Sequence, residues 1–155
     1  MISDIALARA IHVLAVTHWI GGVAAVTTIV LPHARAMPDP QRAVEAFESF
    51  EQKFAAQVRI SILLAGLSGL YMLMRLNAWQ MFRDLSLHLM VALWLLFALF
   101  VYVLEPNFLH RRFHDFALRN KDRAFTLAIG FHIVLLTVAA VTIAGGVLGA
   151  MGALG

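Results

Sequence analysis

The sequence predicts an all-α integral membrane protein, a four-helix up-down bundle forming one domain over residues 1–155, and three observations carry that prediction. Hydrophobic residues make up 61% of the 155 residues and charged residues 14%, whereas soluble domains hold about 45–50% and about 25%. The apolar residues collect into four runs close to the ~20 residues needed to cross about 30 Å of hydrocarbon as a helix. No ten-residue alternating pattern accompanies them, and backbone in lipid must satisfy its own hydrogen bonds, so helices are favoured over a barrel.

The first run extends from Ile5 to Leu31. It is too long for the apolar part of a signal peptide and has no basic residue before Arg9, so it is expected to be a retained span even though Ala34-Arg35-Ala36 resembles a cleavage site. The second run is Ile60 to Met74 with its flanks, the third Leu85 to Leu104, and the fourth Ala124 to about Met151. Before the second run, Phe47, Phe50, Phe54 and Val58 form a helical stripe, with Glu45, Glu48, Glu51, Gln52 and Lys53 expected largely elsewhere on the wheel. This segment either lies in the membrane interface or, as the simpler reading, lengthens the second helix. Glu105-Pro106 is expected to mark the end of the third span. Gly145 and Gly149 give a G-x-x-x-G spacing that lets helices approach closely.

Alternating helices place Arg9, Arg75 and Arg83 on one side and the other nine basic residues on the opposite side. The positive-inside rule then expects both termini outside the cytoplasm, in a bacterial inner membrane. A net charge of +3 with the basic residues set between apolar runs argues for a lipid bilayer as the main partner and against nucleic acid. The absence of Cys excludes disulfides, thiolate zinc sites, cysteine-held iron–sulfur clusters and covalent haem attachment. Any metal would have His, Met, carboxylate or backbone ligands.

Four of the seven histidines, His12, His18, His88 and His132, fall inside the runs. Ionisable groups at membrane depth are expensive and normally face protein, and neutral imidazole is a common ligand for haem iron, zinc or copper. At a rise of ~1.5 Å per residue, His12 and His88 lie about 10 and 5 Å below the outer face, and His18 and His132 about 20 and 18 Å below it. His12 and His18 are roughly 120° apart around their helix, so they address different sites. Two level pairs across the bundle result, His12/His88 and His18/His132, each suited to the axial ligation of a b-type haem, so that two haems are expected, or one with the other histidines as hydrogen-bond partners. The simpler reading is that each histidine bonds a carbonyl or hydroxyl and joins helices.

His12, Trp19, Gly21 and Gly22 form an H-x6-W-x-G-G pattern, followed by Leu31-Pro32, Arg59-Ile60-Ser61 and Ser68-Gly69-Leu70-Tyr71. Over the first two spans this resembles the copper-resistance protein D family and its relatives, the four-helix membrane protoporphyrinogen oxidases. The resemblance implies a membrane helical bundle and, for some relatives, haem b with the counterpart of His12 as ligand. The oxidase branch carries an important Lys in its third helix, where this chain has His88 and no Lys. His12 and Trp19, seven residues apart, share a helical face, so Trp19 is a candidate to cover a haem edge or to pack with its N–H satisfied.

Arg59 sits at the inner entrance of the second span, placed to snorkel or to pair a haem propionate, and Arg9 and Arg83 have the corresponding outer positions. His110 and His114, four apart beside Asp115, read as part of a solvated basic connection, and His33 as an interfacial residue. The expected function is a b-type cytochrome that moves electrons between a quinol and a redox protein or small oxidant. The alternatives are a copper-handling protein drawing on Met72, Met74 and Met90, and a protoporphyrinogen-oxidase-like enzyme. A homo-oligomer is left open.

Overall fold

The computed structural model describes residues 3–77 and 85–150, with their side chains except at positions 85, 86, 107–110, 149 and 150. The chain folds into helices α1 (Asp4–Ala25), α2 (Leu31–Ala36), α3 (Pro40–Arg75), α4 (Leu85–Leu99), α5 (His110–Arg119) and α6 (Lys121–Ala150), with no strand among the described residues. Four stretches are long and apolar enough to cross a membrane: Asp4–Ala36, Pro40–Arg75, Leu87–Pro106 and Lys121–Leu148. The all-α bundle expected from the sequence is the fold observed.

α1 and α3 start where the sequence supplies a cap. Ser3 Oγ accepts from the Ala6 N–H at 3.1 Å at the head of α1, and Asp39 accepts from the Gln41 N–H at 2.9 Å at the head of α3. Pro40 then occupies the first helical position, where its missing N–H removes nothing. The phenylalanine stripe belongs to α3, which at 36 residues is about 54 Å long and therefore exceeds the hydrocarbon thickness. Extension, not an interfacial helix, is what the structure shows.

Two prolines leave a wider turn instead of a break. α1 joins α2 through a π-helical turn, Val26–Val30, just ahead of Pro32. α4 joins α5 through π-helical Phe100–Leu109, which contains Pro106. A proline removes one N–H and crowds the preceding turn, and a π-bulge absorbs both effects. Near the first joint the Thr27 and Thr28 hydroxyls donate to the carbonyls of Val23 at 2.7 Å and Ala24 at 2.8 Å. The apolar span does end at Pro106, but the helical backbone runs on into α5, because only the regular i→i−4 ladder is interrupted.

α1 and α3 run antiparallel and form the most extensive helix contact. At one end Asp4 Oδ2 accepts from Arg75 Nη2 at 2.7 Å, Arg75 Nε at 2.9 Å and Tyr71 Oη at 2.8 Å. The central core joins all four long helices through Trp19, Val23, Val58, Ile62, Leu93, Phe97, Leu135 and Ala139. A second cluster, with Leu31, Val44, Phe47, Ala117 and Phe125 buried, closes the opposite end. Outward positions such as Leu14, Ile29, Ile60 and Val141 are exposed hydrophobics, the surface a bilayer would cover.

Glycine sets the closest approaches. A Cβ on Gly22 would overlap the Phe54 ring, and one on Gly66 would overlap the Trp94 indole, which is pinned by its N–H donating to the Ile62 carbonyl at 2.8 Å. Gly146 receives the Met90 methyl, whereas nothing lies within 4 Å of a Cβ at Gly145. Gly66→Ala is therefore expected to destabilise the bundle by about 1–3 kcal/mol through overpacking. Gly21→Ala, with open space around it, is expected to be neutral or stabilising by up to ~1 kcal/mol. Thermal unfolding of the two variants in one detergent checks the ordering.

Candidate functional site

The sequence-predicted histidines occupy distinct surroundings. His12 is half-buried on α1, and its Nδ1 lies 2.9 Å from the Ala65 carbonyl and 3.1 Å from Ser68 Oγ. A carbonyl only accepts, so Nδ1 bears a hydrogen, and in the neutral ring the lone pair is on Nε2. Ser68 Oγ in turn lies 2.6 Å from the Leu64 carbonyl, an acceptor for its hydroxyl hydrogen that leaves an oxygen lone pair toward His12. The absence of a side chain at Gly69 matters here, because a Cβ would stand 3.3 Å from His12 Cε1.

His132, half-buried on α6, has Nδ1 2.8 Å from the Ala128 carbonyl one turn earlier. The same reasoning puts the hydrogen of its neutral ring on Nδ1 and the lone pair on Nε2. His18 Nδ1 meets Ser61 Oγ at 2.9 Å, and this histidine is exposed on the bundle surface, as is His88 on α4. The bonds of His12 and His18 thus run to α3, and that of His132 to its own helix, not from imidazole to imidazole. Among the described residues no group of three or more His, Cys, Asp or Glu is gathered to hold a metal ion.

Register sets His12 and His88 at similar heights. His12 bonds Ser68, six residues after Ile62, whose carbonyl accepts from Trp94, six residues after His88. With α3 and α4 antiparallel, His12 and His88 stand at similar heights. His132 lines the same cavity as Trp19, the neighbour of His18.

That cavity, about 80 Å³, is bounded by Trp19, Phe47, Phe54, Phe97, Glu51, Glu105 and His132 among others. Trp19 is 3% exposed and meets Phe97 edge to face, centroids 4.6 Å apart at 83°. Its indole N–H has no hydrogen-bond partner among the described residues. Packing is the role observed, without the satisfied N–H that the packing reading expects.

Arg59 is engaged by protein. Its Nη2 donates to Glu105 Oε2 at 2.9 Å, and its carbonyl accepts from Tyr102 Oη at 2.7 Å. Arg9 is exposed, and so is His33. Arg83 and the His110 side chain lie outside the described residues. His114 Nδ1 is 2.9 Å from Glu48 Oε1, a contact that the solvated-connection reading does not contain.

Glu51 is the residue the sequence reading misplaced. It follows Phe47 by four and precedes Phe54 by three, so it lies within the core-facing stripe and lines the cavity. The i, i+4, i+7 spacing was the available signal. The serines at 61 and 68 were visible only as motif letters, while their role as acceptors for α1 imidazoles depends on the α1–α3 register.

Comparison with protein-family models, curated proteins and solved structures finds no match.

Glu105 is mostly enclosed, whereas 38% of the Arg59 side chain is exposed, so water answers part of the guanidinium once Glu105 is removed. Glu105→Ala should therefore destabilise by no more than about 1 kcal/mol, and adding Arg59→Met should restore part of the loss. A double-mutant cycle on unfolding midpoints measures this coupling.

Proposed function

We propose that the chain is a b-type haem protein of a bacterial inner membrane, with both termini outside the cytoplasm, that passes electrons between a quinol and a redox protein or small oxidant. The observation that carries the reading is the His12 geometry. Its Nδ1 hydrogen is held between the Ala65 carbonyl and Ser68 Oγ, so ring angle and tautomer are fixed with the lone pair on Nε2. Metal-ligating histidines are commonly oriented by such a contact on the other ring nitrogen. The resemblance of His12, Trp19, Gly21 and Gly22 to the copper-resistance protein D family points to the same residue.

The fit to haem is good in donor chemistry at His12 and poor in space at the centre. The cavity beside His132 holds about 80 Å³, far below the ~300–1,000 Å³ of small-molecule and cofactor sites. A macrocycle is therefore not assigned between His18 and His132. His12 would hold the haem iron, and His88, level with it and exposed on α4, is the second residue that would do so. When bound, haem would supply one-electron chemistry. For its part the chain orients the His12 ring, and Gly69 leaves room at its edge.

Protein purified after expression with ample haem supply is expected to contain protohaem by pyridine haemochrome assay. His12→Ala should lose it, while His132→Ala should retain it. Colourless wild-type protein, or full haem content in His12→Ala, overturns the assignment. Stoichiometric copper without porphyrin would move the reading to copper handling, and porphyrinogen oxidation by the purified protein would move it to the oxidase class.

A further inference from the structure

We propose that the cavity bounded by Trp19, Glu51, Glu105 and His132 is a hydrated proton-exchange site, supplied from the end of the bundle that carries His114 and Glu48. This site lies apart from His12, and the inference does not depend on haem.

Size selects the occupant. The cavity measures about 80 Å³, whereas a water needs roughly 10–15 Å³ and a benzene-sized ring fits an engineered cavity of about 150 Å³. Several waters are accommodated; an aromatic ligand is not. Glu51, Glu105 and His132 are among its lining residues, beside apolar side chains that make up most of the wall.

Trp19 supplies the independent sign of an occupant. Its side chain is 3% exposed, it lines the cavity, and its N–H has no acceptor among the described residues. Buried polar groups in folded proteins are almost always satisfied by protein or by ordered water. His132 adds the complementary function, since its Nδ1 hydrogen is engaged by the Ala128 carbonyl and Nε2 is left as an acceptor. A water accepting from Trp19 therefore has acceptors within the same enclosure to donate to.

A route from the surface to this water is built into α3. Glu48 and Glu51 are three residues apart and share a helical face, with Cβ atoms about 5–6 Å apart. His114, with 40% of its side chain exposed, contacts Glu48 at 2.9 Å. The charged and titratable groups around the route are Glu48, Glu51 and Arg59 from α3, Glu105 from the π-helical joint, His114 from α5 and His132 from α6. Arg59 holds Glu105 at 2.9 Å, and Glu51 is the cavity carboxyl on the same α3 face as Glu48, which makes it the exchanging group of the route. Each step moves one proton from an N–H or O–H to the next lone pair, through His114, Glu48, water and Glu51. No electron is transferred.

The test uses the full chain in lipid nanodiscs. Infrared difference spectra recorded across a pH titration should show a protonated-carboxyl band that shifts in D₂O and is absent in Glu51→Gln. Trp19→Phe, which keeps the ring and removes the N–H, should shift the band. After a pH jump, Glu48→Gln should slow protonation of Glu51 by roughly a hundredfold, the low end of what a positioned proton carrier contributes. The proposal requires both the band sensitivity to Trp19→Phe and the slowing in Glu48→Gln. A band that ignores the indole N–H, an unchanged rate, or the absence of any titrating carboxyl overturns it. Haem content is irrelevant to each readout, so failure here is distinct from failure at His12.

Discussion

Hydrocarbon offers no hydrogen bonds, so a polar group carried into it must be answered within the protein, and this constraint organises the bundle around α3. The carbonyls of Arg59, Ile62 and Ala65 receive Tyr102 Oη, the Trp94 N–H and the His12 ring. A helical carbonyl has a second lone pair beyond the one used along the helix, which permits these additional contacts. Ser61 and Ser68 extend the same face with hydroxyls for His18 and His12. α3 thus serves α1 and α4 together with the helical joint that follows α4, and its small residues let those neighbours come close enough to bond.

The consequence for chemistry is tautomeric control. His12 and His132 both direct the Nδ1 hydrogen at a backbone carbonyl, which leaves the outer ring nitrogen basic. At His12 that nitrogen belongs to a ring whose edge faces a glycine; at His132 it belongs to a cavity shared with two carboxyl groups. The same local device therefore suits two tasks, metal ligation in one place and proton acceptance in the other. Glu105 is drawn to Arg59, and Glu51 is the other carboxyl lining that cavity.

Much of the architecture was legible in the chain. Hydropathy and length gave the four spans, the Asp39-Pro40 pair gave the head of α3, and the phenylalanine spacing gave its extension. Other features needed three dimensions. Pro106 reads as a stop, yet the backbone continues by widening into a π-helix, a solution that depends on packing around the joint. Depth arithmetic gave a common height for His12 and His88 but not the facing of any histidine, since a ring's direction follows from helix rotation about its axis. His18 and His88 accordingly lie on exposed surface. Glu51 was obscured because a run of charged neighbours masks its place on the core stripe, and the Glu48–His114 contact joins residues whose proximity no local pattern encodes.

The most direct measurement of this account is ¹⁵N solid-state NMR of histidine-labelled protein in bilayers at neutral pH, with His12 assigned by comparison with a His12 variant. The account predicts the hydrogen on Nδ1 and none on Nε2, with or without a metal bound. A His12 ring protonated at Nε2 would contradict it, because the α3 carbonyl would then not be holding the imidazole as described.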